Sequence, residues 1–135
     1  MSLDISPLSN AVDRLAEGLA RYQRDTSDDQ IRDGLIQRFE FTYELSHKML
    51  KRYLESIAPS PETIDQMAFA DLIRLGREQG LVRSEWAVWR QFRDIRNITS
   101  HTYDLKKALV VVQAIPDFLA EAQYLRDRLH HRLGA

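Results

Sequence analysis

The sequence predicts an all-α fold, an up-and-down bundle of four to five helices in which residues 1–135 form one domain. Apolar residues recur three and four positions apart along almost the whole chain, as they do on one face of a helix. No segment shows the apolar–polar alternation of a strand. Short stretches with Pro, Gly or Ser separate the helical segments, and short connections favour antiparallel neighbours in a bundle.

The first two predicted helices are long and amphipathic. Helix one starts at the expected N-cap Ser6, with Pro7 at its first position. Helix two follows the capping-box pair Ser27 and Gln30 and ends at about Ile57, two residues before a proline. The apolar face of helix one consists of Leu8, Val12, Leu15, Leu19 and Tyr22. That of helix two consists of Ile31, Leu35, Phe39, Tyr43, Leu50, Tyr53 and Ile57.

Three further helices are predicted. The third starts at Ser60-Pro61-Glu62, continues through Met67 and Ala68, and stops at Gly80. The fourth follows the N-cap Ser84 and contains Trp86, Trp89, Phe92 and Ile95. The last starts near Asp104, and Pro116 inside it predicts a kink. Its apolar positions are Leu105, Leu109, Val112, Ile115, Leu119, Ala122, Leu125 and Leu129.

Aromatic side chains recur at helical spacing in the second and fourth helices. We expect them to pack in the core or at a subunit interface rather than to stack on nucleobases, because large apolar side chains are most often buried. They are Phe39, Tyr43, Trp86, Trp89 and Phe92.

Composition limits the class of protein. The 135 residues include no Cys, which rules out disulfides and thiolate metal sites and suits a reducing cytoplasm. The N-terminus has no basic region followed by an apolar run, and no apolar stretch approaches the roughly 20 residues that span a bilayer. We therefore expect a cytoplasmic protein without a membrane segment.

The charge distribution is locally basic although the net charge is −1. The net charge argues against broad, nonspecific attraction to nucleic acid, which depends on clustered cations. Arg83, Arg90, Arg93 and Arg96 nevertheless recur at spacings of 7, 3 and 3, which places them on one side of a helix. Two interpretations of this strip remain open, a solvated helix face and a surface that faces a polyanion.

One short segment combines three reactive side chains. Arg96, His101 and Tyr103 place a guanidinium, an imidazole and a phenol within eight residues, and Asn97 completes the pattern Arg-Asn-x3-His-x-Tyr. These are the parts of a small site that cleaves phosphodiesters.

The spacing Arg-x4-His occurs a second time, at Arg126 and His131. In that copy Leu133 occupies the position of the phenol. We therefore interpret Arg126 and His131 as surface residues of a terminal helix. His130 and His131 form an exposed pair without a nearby carboxylate or thiolate, so we expect no metal site there.

The segment from Arg96 to Tyr103 resembles the motif of the HEPN superfamily (higher eukaryote and prokaryote nucleotide-binding). The resemblance is to the branch of nucleotidyltransferase substrate-binding proteins, which includes the HepT-like toxins. A second block, residues 37–48, lies at the separation that the family shows, so the resemblance extends over roughly residues 8–130. It implies a homodimer in which helices two and four line a shared cleft.

The resemblance also implies cleavage of RNA without a metal or another cofactor. His101 would be the base that takes the proton of a ribose 2′-OH, because imidazole, with a pKa of about 6.5, is largely neutral near pH 7. Arg96 would hold the phosphate through its planar fork without losing its charge. The products would be a 2′,3′-cyclic phosphate and a 5′-hydroxyl end.

Helical geometry constrains this site. At about 100° per residue, positions 96 and 101 lie about 140° apart on a straight helix, so Arg96 and His101 would not point at one phosphate. Either the helix ends before His101, as Thr99 and Ser100 permit, or the site combines Arg96 and His101 from two protomers. We favour a helix end together with a site in a dimer cleft. Asn97 either positions substrate or caps the turn, and both interpretations remain open.

Glu44 and Lys48 on helix two have two interpretations. At positions i and i+4 they would form an ordinary surface ion pair. The resemblance instead places them in the cleft, where Glu44 would orient Arg96 and Lys48 would contact phosphate. Arg93 is a further candidate for RNA or nucleotide binding, and Arg38, His47 and Lys51 are weaker ones.

Tyr103 is a poor base, since a phenol has a pKa near 10. In the HepT-like branch a minimal nucleotidyltransferase antitoxin transfers AMP from ATP to the tyrosine of His-x-Tyr, so the resemblance makes Tyr103 the acceptor. Added AMP would place negative charge beside Arg96 and exclude RNA. The alternative is a tyrosine that packs the turn before the last helix.

Three functions remain open from the sequence. The first is a ribonuclease toxin with its nucleotidyltransferase antitoxin as partner. The second is a noncatalytic subunit that binds nucleotide for a separate nucleotidyltransferase. The third is a helical dimerisation module without a ligand, and it is disfavoured because the motif contains more polar residues than dimerisation needs.

Overall fold

The computed structural model describes residues 3–134, and within that range it contains six α-helices, one 3₁₀-helix and no strand. The all-helical class predicted from the sequence is confirmed. The helices are α1 (Ser6–Arg24), α2 (Asp29–Ile57), α3 (Pro61–Asp65), α4 (Phe69–Glu78), α5 (Trp86–Asn97) and α6 (Leu105–Arg132). The 3₁₀-helix, Thr99–His101, lies between α5 and α6.

Helices α1 and α2 are antiparallel and closely packed. The hydroxyl of Thr42 donates to the carbonyl of Ala11 at 3.3 Å, and the guanidinium of Arg38 donates to the carbonyl of Arg14 at 2.7 Å. The later residue of α2 contacts the earlier residue of α1, so the two helices run in opposite directions. Helix α6 packs against both of them.

The centre of the core is an aromatic cluster around Phe118 of α6. Its ring meets Phe39 edge to face at a centroid distance of 5.0 Å, Phe92 at 5.3 Å and Trp89 at 6.0 Å. Edge-to-face contacts at these separations are favourable beyond simple burial. The expected burial of Phe39, Tyr43, Trp89 and Phe92 is confirmed, whereas Trp86 keeps part of its surface exposed.

The predicted third helix is two helices. Residues 66–68 separate α3 from α4, and Ala68 is extended with ψ of 154°. Its carbonyl accepts from the amides of Asp71 at 3.0 Å and Leu72 at 3.1 Å, so a new helix begins there. The break places Phe69 at the first position of α4, where its ring contacts α2 and α5. Long-range aromatic packing accompanies a break that local periodicity did not predict.

The N-caps predicted at Ser6, Ser27 and Ser84 are wrong, whereas Ser60 is the N-cap of α3. Helix α1 has Ile5 at its N-cap, α2 has Asp28 and α5 has Glu85. The carboxylate of Asp28 accepts from the first-turn amides of α2 at 3.0 and 3.1 Å. A carboxylate one residue nearer to the helix thus takes the place of Ser27.

Two other predicted boundaries are confirmed. Helix α6 begins after Asp104, whose carboxylate accepts from the amide of Lys106 at 2.9 Å. Gly80 follows the end of α4 with φ of +75°, a conformation that glycine adopts without steric cost.

Within residues 3–134, α6 is the one helix that contains an 18-residue window apolar enough to cross a membrane, and the mean hydropathy of that window is 1.2. Its buried positions include Val111, Ile115, Phe118 and Ala122, which belong to the hydrophobic core. Packing against α1 and α2 therefore accounts for these buried positions, whereas Leu105 and Leu109, which the sequence predicted on the packed face, are 57% and 39% exposed. Pro116 lies inside this helix.

Candidate functional site

The segment with the Arg-Asn-x3-His-x-Tyr pattern joins α5 to α6. Helix α5 ends at Asn97, and the next residues form a 3₁₀-helix in which the amide of His101 donates to the carbonyl of Ile98 at 3.0 Å. A 3₁₀-helix has about three residues per turn, so His101 does not follow the angular progression of α5. The prediction that the helix ends before His101 is confirmed.

Arg96 is held between α5 and α2. One terminal nitrogen of its guanidinium donates to Glu44, and the same nitrogen lies 3.8 Å from Glu40. The other terminal nitrogen donates to the hydroxyl of Thr99 at 3.2 Å. The Arg96 side chain is 28% exposed, which leaves it within reach of a ligand while its direction is fixed.

Thr99 contacts Arg96 at both ends of that residue. Its hydroxyl donates to the Arg96 carbonyl at 2.8 Å and accepts from the guanidinium. Thr99 is 4% exposed, so solvent does not compete for these bonds. Sequence reasoning treated Thr99 as a residue that permits the helix to end and missed this contact. The sequence signal for this contact is that Thr99 lies three residues after Arg96, one turn along the chain.

His101 and Tyr103 are exposed. Their ring centroids lie 6.2 Å apart, and Tyr103 keeps 87% of its surface exposed. A ring with that exposure does not pack against the turn. The structure therefore does not support the alternative in which Tyr103 has only a structural role. Both side chains are accessible to a ligand or to another protein.

Asn97 and Lys48 make few contacts. Both are exposed, and the side-chain amide of Asn97 forms no hydrogen bond within residues 3–134. The side chain of Asn97 therefore does not cap the turn. In the described part of the chain Lys48 forms no ion pair, because Glu44 is paired with Arg96 instead. The ordinary i, i+4 pair considered from the sequence is absent there.

Three of the four arginines of the predicted strip lie on α5, whereas Arg83 precedes that helix. Arg83 binds the buried carboxylate of Glu121, at 2.8 Å through its Nε. Arg93 lies over the ring of Trp86, 5.2 Å from the ring centroid, and 3.8 Å from Asp94. The basic surface near the site therefore consists of the later arginines of the strip, and Arg83 has a structural contact.

Glu121 fixes the start of α5. It is 3% exposed and accepts from the amide of Ser84 at 3.2 Å and from its hydroxyl at 2.7 Å. Together with Arg83, these bonds join α6 to the residues just before α5. Glu121 thus helps to position the helix that ends at Arg96. No local pattern in the sequence indicates it.

On α2, Tyr43 lies near Arg93 and Arg96, whereas His47 lies near Lys51. The ring of His47 stacks on Phe69 at a centroid distance of 4.0 Å. Burial lowers the pKa of His47 below its usual 6.5, and the charge of Lys51 lowers it further. Burial raises the pKa of the Tyr43 phenol to about 12.

The weaker basic candidates have other partners. Arg38 donates to the carbonyl of Arg14, and Lys51 pairs with Asp65 at 3.1 Å. In the second Arg-x4-His copy, Arg126 pairs with Asp13 at 3.0 Å and so links α6 to α1.

Among residues 3–134, no three His, Cys, Asp or Glu side chains lie where they would hold one metal ion.

Known proteins resemble this chain over most of its length. The family model described as nucleotidyltransferase substrate binding protein like matches residues 3–131. A relative from Haemophilus influenzae named probable ribonuclease HepT is 46% identical over 99 residues, which is 73% of this chain and 67% of the relative.

Two solved structures are similar. One, from Haemophilus influenzae, is described as revealing the fold of a substrate-binding domain of a nucleotidyltransferase. It has a TM-score of 0.88 and 36% sequence identity, and the match covers 94% of this chain and 99% of the other chain. The other, from Thermus thermophilus, has a TM-score of 0.70 and 30% identity and covers 90% of this chain and 98% of its own.

Proposed function

Because the chain belongs to the family of nucleotidyltransferase substrate binding protein like proteins, we propose that it is a HEPN-type endoribonuclease and the toxin of a toxin–antitoxin pair. The observation that supports this most directly is the placement of Arg96. Glu44 and Thr99 hold its guanidinium next to a segment that exposes His101. The name of the 46% identical relative, probable ribonuclease HepT, agrees with the proposal.

In the proposed reaction, His101 acts as the general base. Its imidazole takes the proton from a ribose 2′-OH, and the 2′-oxygen attacks the adjacent phosphorus. The bond from phosphorus to the 5′-oxygen breaks, that oxygen takes a proton from solvent as it leaves, and His101 afterwards returns its proton to solvent. The products are a 2′,3′-cyclic phosphate and a 5′-hydroxyl end, so no water is consumed in this step.

Arg96 stabilises the phosphate during the attack. Negative charge grows on the nonbridging oxygens, and a guanidinium whose direction is already fixed needs little reorganisation to meet it. Glu44 orients the guanidinium, and RNA must share it with the carboxylates of Glu44 and Glu40. Asn97, Lys48 and Arg93 are exposed around this point and contact the flanking RNA backbone in the proposal.

Tyr103 is the proposed point of control. Its exposure of 87% lets a cognate nucleotidyltransferase antitoxin reach the phenol. Transfer of AMP from ATP forms a bond between the phenol oxygen and the α-phosphorus and releases pyrophosphate. The added phosphate competes with RNA for Arg96.

We propose that the protein acts in the cytoplasm as a homodimer. Exposed apolar side chains on α2 and α6 support an interface between two copies. They include Phe41, at 53% exposure, and Leu105, Leu109 and Val110, at 57%, 39% and 45%.

A second candidate function is a noncatalytic subunit that binds nucleotide for a separate nucleotidyltransferase. The description of the similar Haemophilus influenzae structure favours it. The pairing of Arg96 with two carboxylates also suits a site that exchanges one anion for another without cutting it. In this case Arg96 and His101 bind the nucleotide.

The deciding experiment is an RNA cleavage assay in EDTA with the purified protein. We expect cleavage that His101→Ala and Arg96→Ala each reduce by on the order of 100-fold or more, the usual loss when a positioned acid–base group is removed. Mass spectrometry of the fragments should show 2′,3′-cyclic phosphate ends.

The second Arg-x4-His copy supplies the controls. His131→Ala and Arg126→Ala should cleave like the unsubstituted protein, although Arg126→Ala should be less stable because it loses the contact with Asp13. Cleavage that needs magnesium would refute the metal-independent mechanism. Nucleotide binding without any cleavage would support the second candidate instead.

A further inference from the structure

Part of the aromatic cluster near Arg96 is not buried. His47, Phe69 and Trp86 each keep part of their surface exposed, whereas Trp89 and Phe92 are only 1% and 4% exposed. Phe69 stacks on His47 at 4.0 Å and meets Trp86 edge to face at 5.7 Å. We call His47, Phe69 and Trp86 the aromatic platform. Core packing does not account for its exposed side.

The aromatic platform is connected to the candidate site through both helices that hold Arg96. On α2, the ring of Tyr43 lies 6.1 Å from Phe69, and the next residue, Glu44, binds Arg96. On α5, Arg93 lies over the ring of Trp86 and one helical turn before Arg96. The platform and the proposed phosphate site are therefore parts of one surface.

The separation along α5 matches a few nucleotides. Ten residues from Trp86 to Arg96, at about 1.5 Å per residue, span about 15 Å of helix. A strand with stacked bases advances about 3.4 Å per nucleotide, so the platform lies within about four nucleotides of a phosphate at Arg96. On α2 the distance is shorter, because His47 is one turn from Glu44.

The charges beside the platform favour nucleic acid over an apolar protein surface. The Arg93 side chain is 45% exposed, and Arg90 on the same helix is also exposed. Because Arg93 lies over one face of Trp86, a base would stack on the opposite face of this ring while the guanidinium meets the phosphate. The lowered pKa of His47 keeps its imidazole uncharged at neutral pH and able to stack as a flat, neutral ring.

We propose that the aromatic platform together with Arg93 is a nucleobase subsite, which receives an unpaired base within a few nucleotides of the cleaved bond and restricts the substrate to single-stranded RNA. The proposal rests on the proposed ribonuclease function. Bases inside an A-form duplex are stacked on one another, so they offer no free face to a protein ring.

The kinetic test compares Trp86→Leu with the unsubstituted protein on a single-stranded RNA oligonucleotide. We expect the KM of Trp86→Leu to rise about tenfold or more, in the range measured for loss of one stacked base, with a smaller change in kcat. An abasic nucleotide at one position near the cut should raise KM similarly. Combined with Trp86→Leu, it should add little, because both changes remove the same contact.

Tyr124→Leu is the matched control. Tyr124 is also partly exposed, but it lies on α6 and belongs to no aromatic pair with the platform. The KM of Tyr124→Leu should equal that of the unsubstituted protein. Thermal unfolding of both variants checks that they are folded.

A binding test does not depend on cleavage. In the His101→Ala background, single-stranded RNA should quench the fluorescence of Trp86, while the buried Trp89 stays unaffected. Adding Trp86→Leu should remove the quenching and weaken binding. The same sequence in a duplex should not quench.

Four results would overturn the nucleobase subsite. They are an unchanged KM in Trp86→Leu, additive effects of the variant and the abasic nucleotide, equal cleavage of single-stranded and duplex RNA, and dissociation of a dimer by Trp86→Leu with unchanged RNA binding. The last would identify the platform as a protein interface. If the unsubstituted protein cuts no RNA, the proposed function fails, and the fluorescence test alone still decides on the subsite.

Discussion

The hydroxyl of Thr99 donates to the carbonyl of Arg96 and accepts from the guanidinium of the same residue, at 2.8 and 3.2 Å. One buried side chain thereby fixes both the backbone turn after α5 and the direction of the cation. The proposed site depends on that direction, because the guanidinium must meet the nonbridging oxygens as charge develops on them.

Thr99→Val should show how much the Thr99 hydroxyl contributes to catalysis and how much it contributes to stability. Val has nearly the same shape but no hydroxyl, so we expect kcat for RNA cleavage to fall about tenfold, since small misplacements of catalytic groups are costly. We also expect a loss of about 1 to 2 kcal/mol of stability from the unpaired buried groups. Cleavage assays and urea unfolding measure the two quantities.

Two threonine variants complete this test. Thr99→Ser keeps the hydroxyl and should restore most of kcat. Thr102→Val removes a hydroxyl that donates to the Thr99 carbonyl at 3.2 Å but does not touch Arg96, so it should leave kcat nearly unchanged. Equal losses of kcat in Thr99→Val and Thr102→Val would contradict a specific role for Thr99.

Tyr103→Phe should remain active and resist its antitoxin. The ring is 87% exposed and only one hydroxyl is lost, so folding and most of the RNase activity should be retained. Intact-mass spectrometry after incubation with the cognate nucleotidyltransferase and ATP should show AMP on the unsubstituted protein and none on the variant. Persistent modification would place the acceptor elsewhere, and neutralisation without added mass would indicate control by binding.

His47 should make stability depend on pH in the mildly acidic range. Its pKa is lowered from 6.5 in the folded state, so the unfolded chain binds the proton more readily. Stability should therefore be complete above pH 6.5 and fall as the pH decreases below that value. Urea unfolding between about pH 5 and 7 measures this slope, because ordinary carboxyl groups titrate below that range.

His47→Gln supplies the comparison for this slope. Gln does not titrate, so the variant should lose stability less steeply over the same pH range. A variant with the slope of the unsubstituted protein would assign the pH dependence to other groups.

The protein should be a dimer at low micromolar concentration. The exposed apolar side chains of α6, Leu105, Leu109 and Val110, leave a surface that a second copy would cover. Light scattering gives the mass directly, and Leu109→Glu should shift it toward the monomer by introducing a charge. A monomer that still cleaves RNA would show that one chain contains the complete site.

Much of the helical architecture was predictable because it depends on local spacing. The start of α6 at Asp104, the stop at Gly80 and the apolar positions of α1 and α2 follow from periodicity and turn chemistry, except that Ile57 at the end of α2 is 45% exposed. The break before Phe69 was not predictable in this way. Its ring packs against His47 and Trp86, which lie far away in sequence.

The same distinction holds for the candidate site. Arg96, His101 and Tyr103 lie in one short motif, and the sequence identified them together. The contact of Glu44 with Arg96 spans 52 residues, and it was expected only because a resemblance placed both residues in one cleft. The bonds of Glu121 to Ser84 span 37 residues and have no local signal.

The hydrogen bonds between Glu121 and Ser84 fix the position of α5 along its own axis. To slide by one helical turn, about 5.4 Å, the helix would have to break three hydrogen bonds to one buried carboxylate. His101 and Tyr103 lie on a segment whose own backbone bonds all reach only three residues. Arg96 is therefore held at a fixed position along the axis of α5, whereas His101 and Tyr103 lie on a short segment with only local backbone bonds. When a ligand binds, this segment rather than α5 is the part that can adjust.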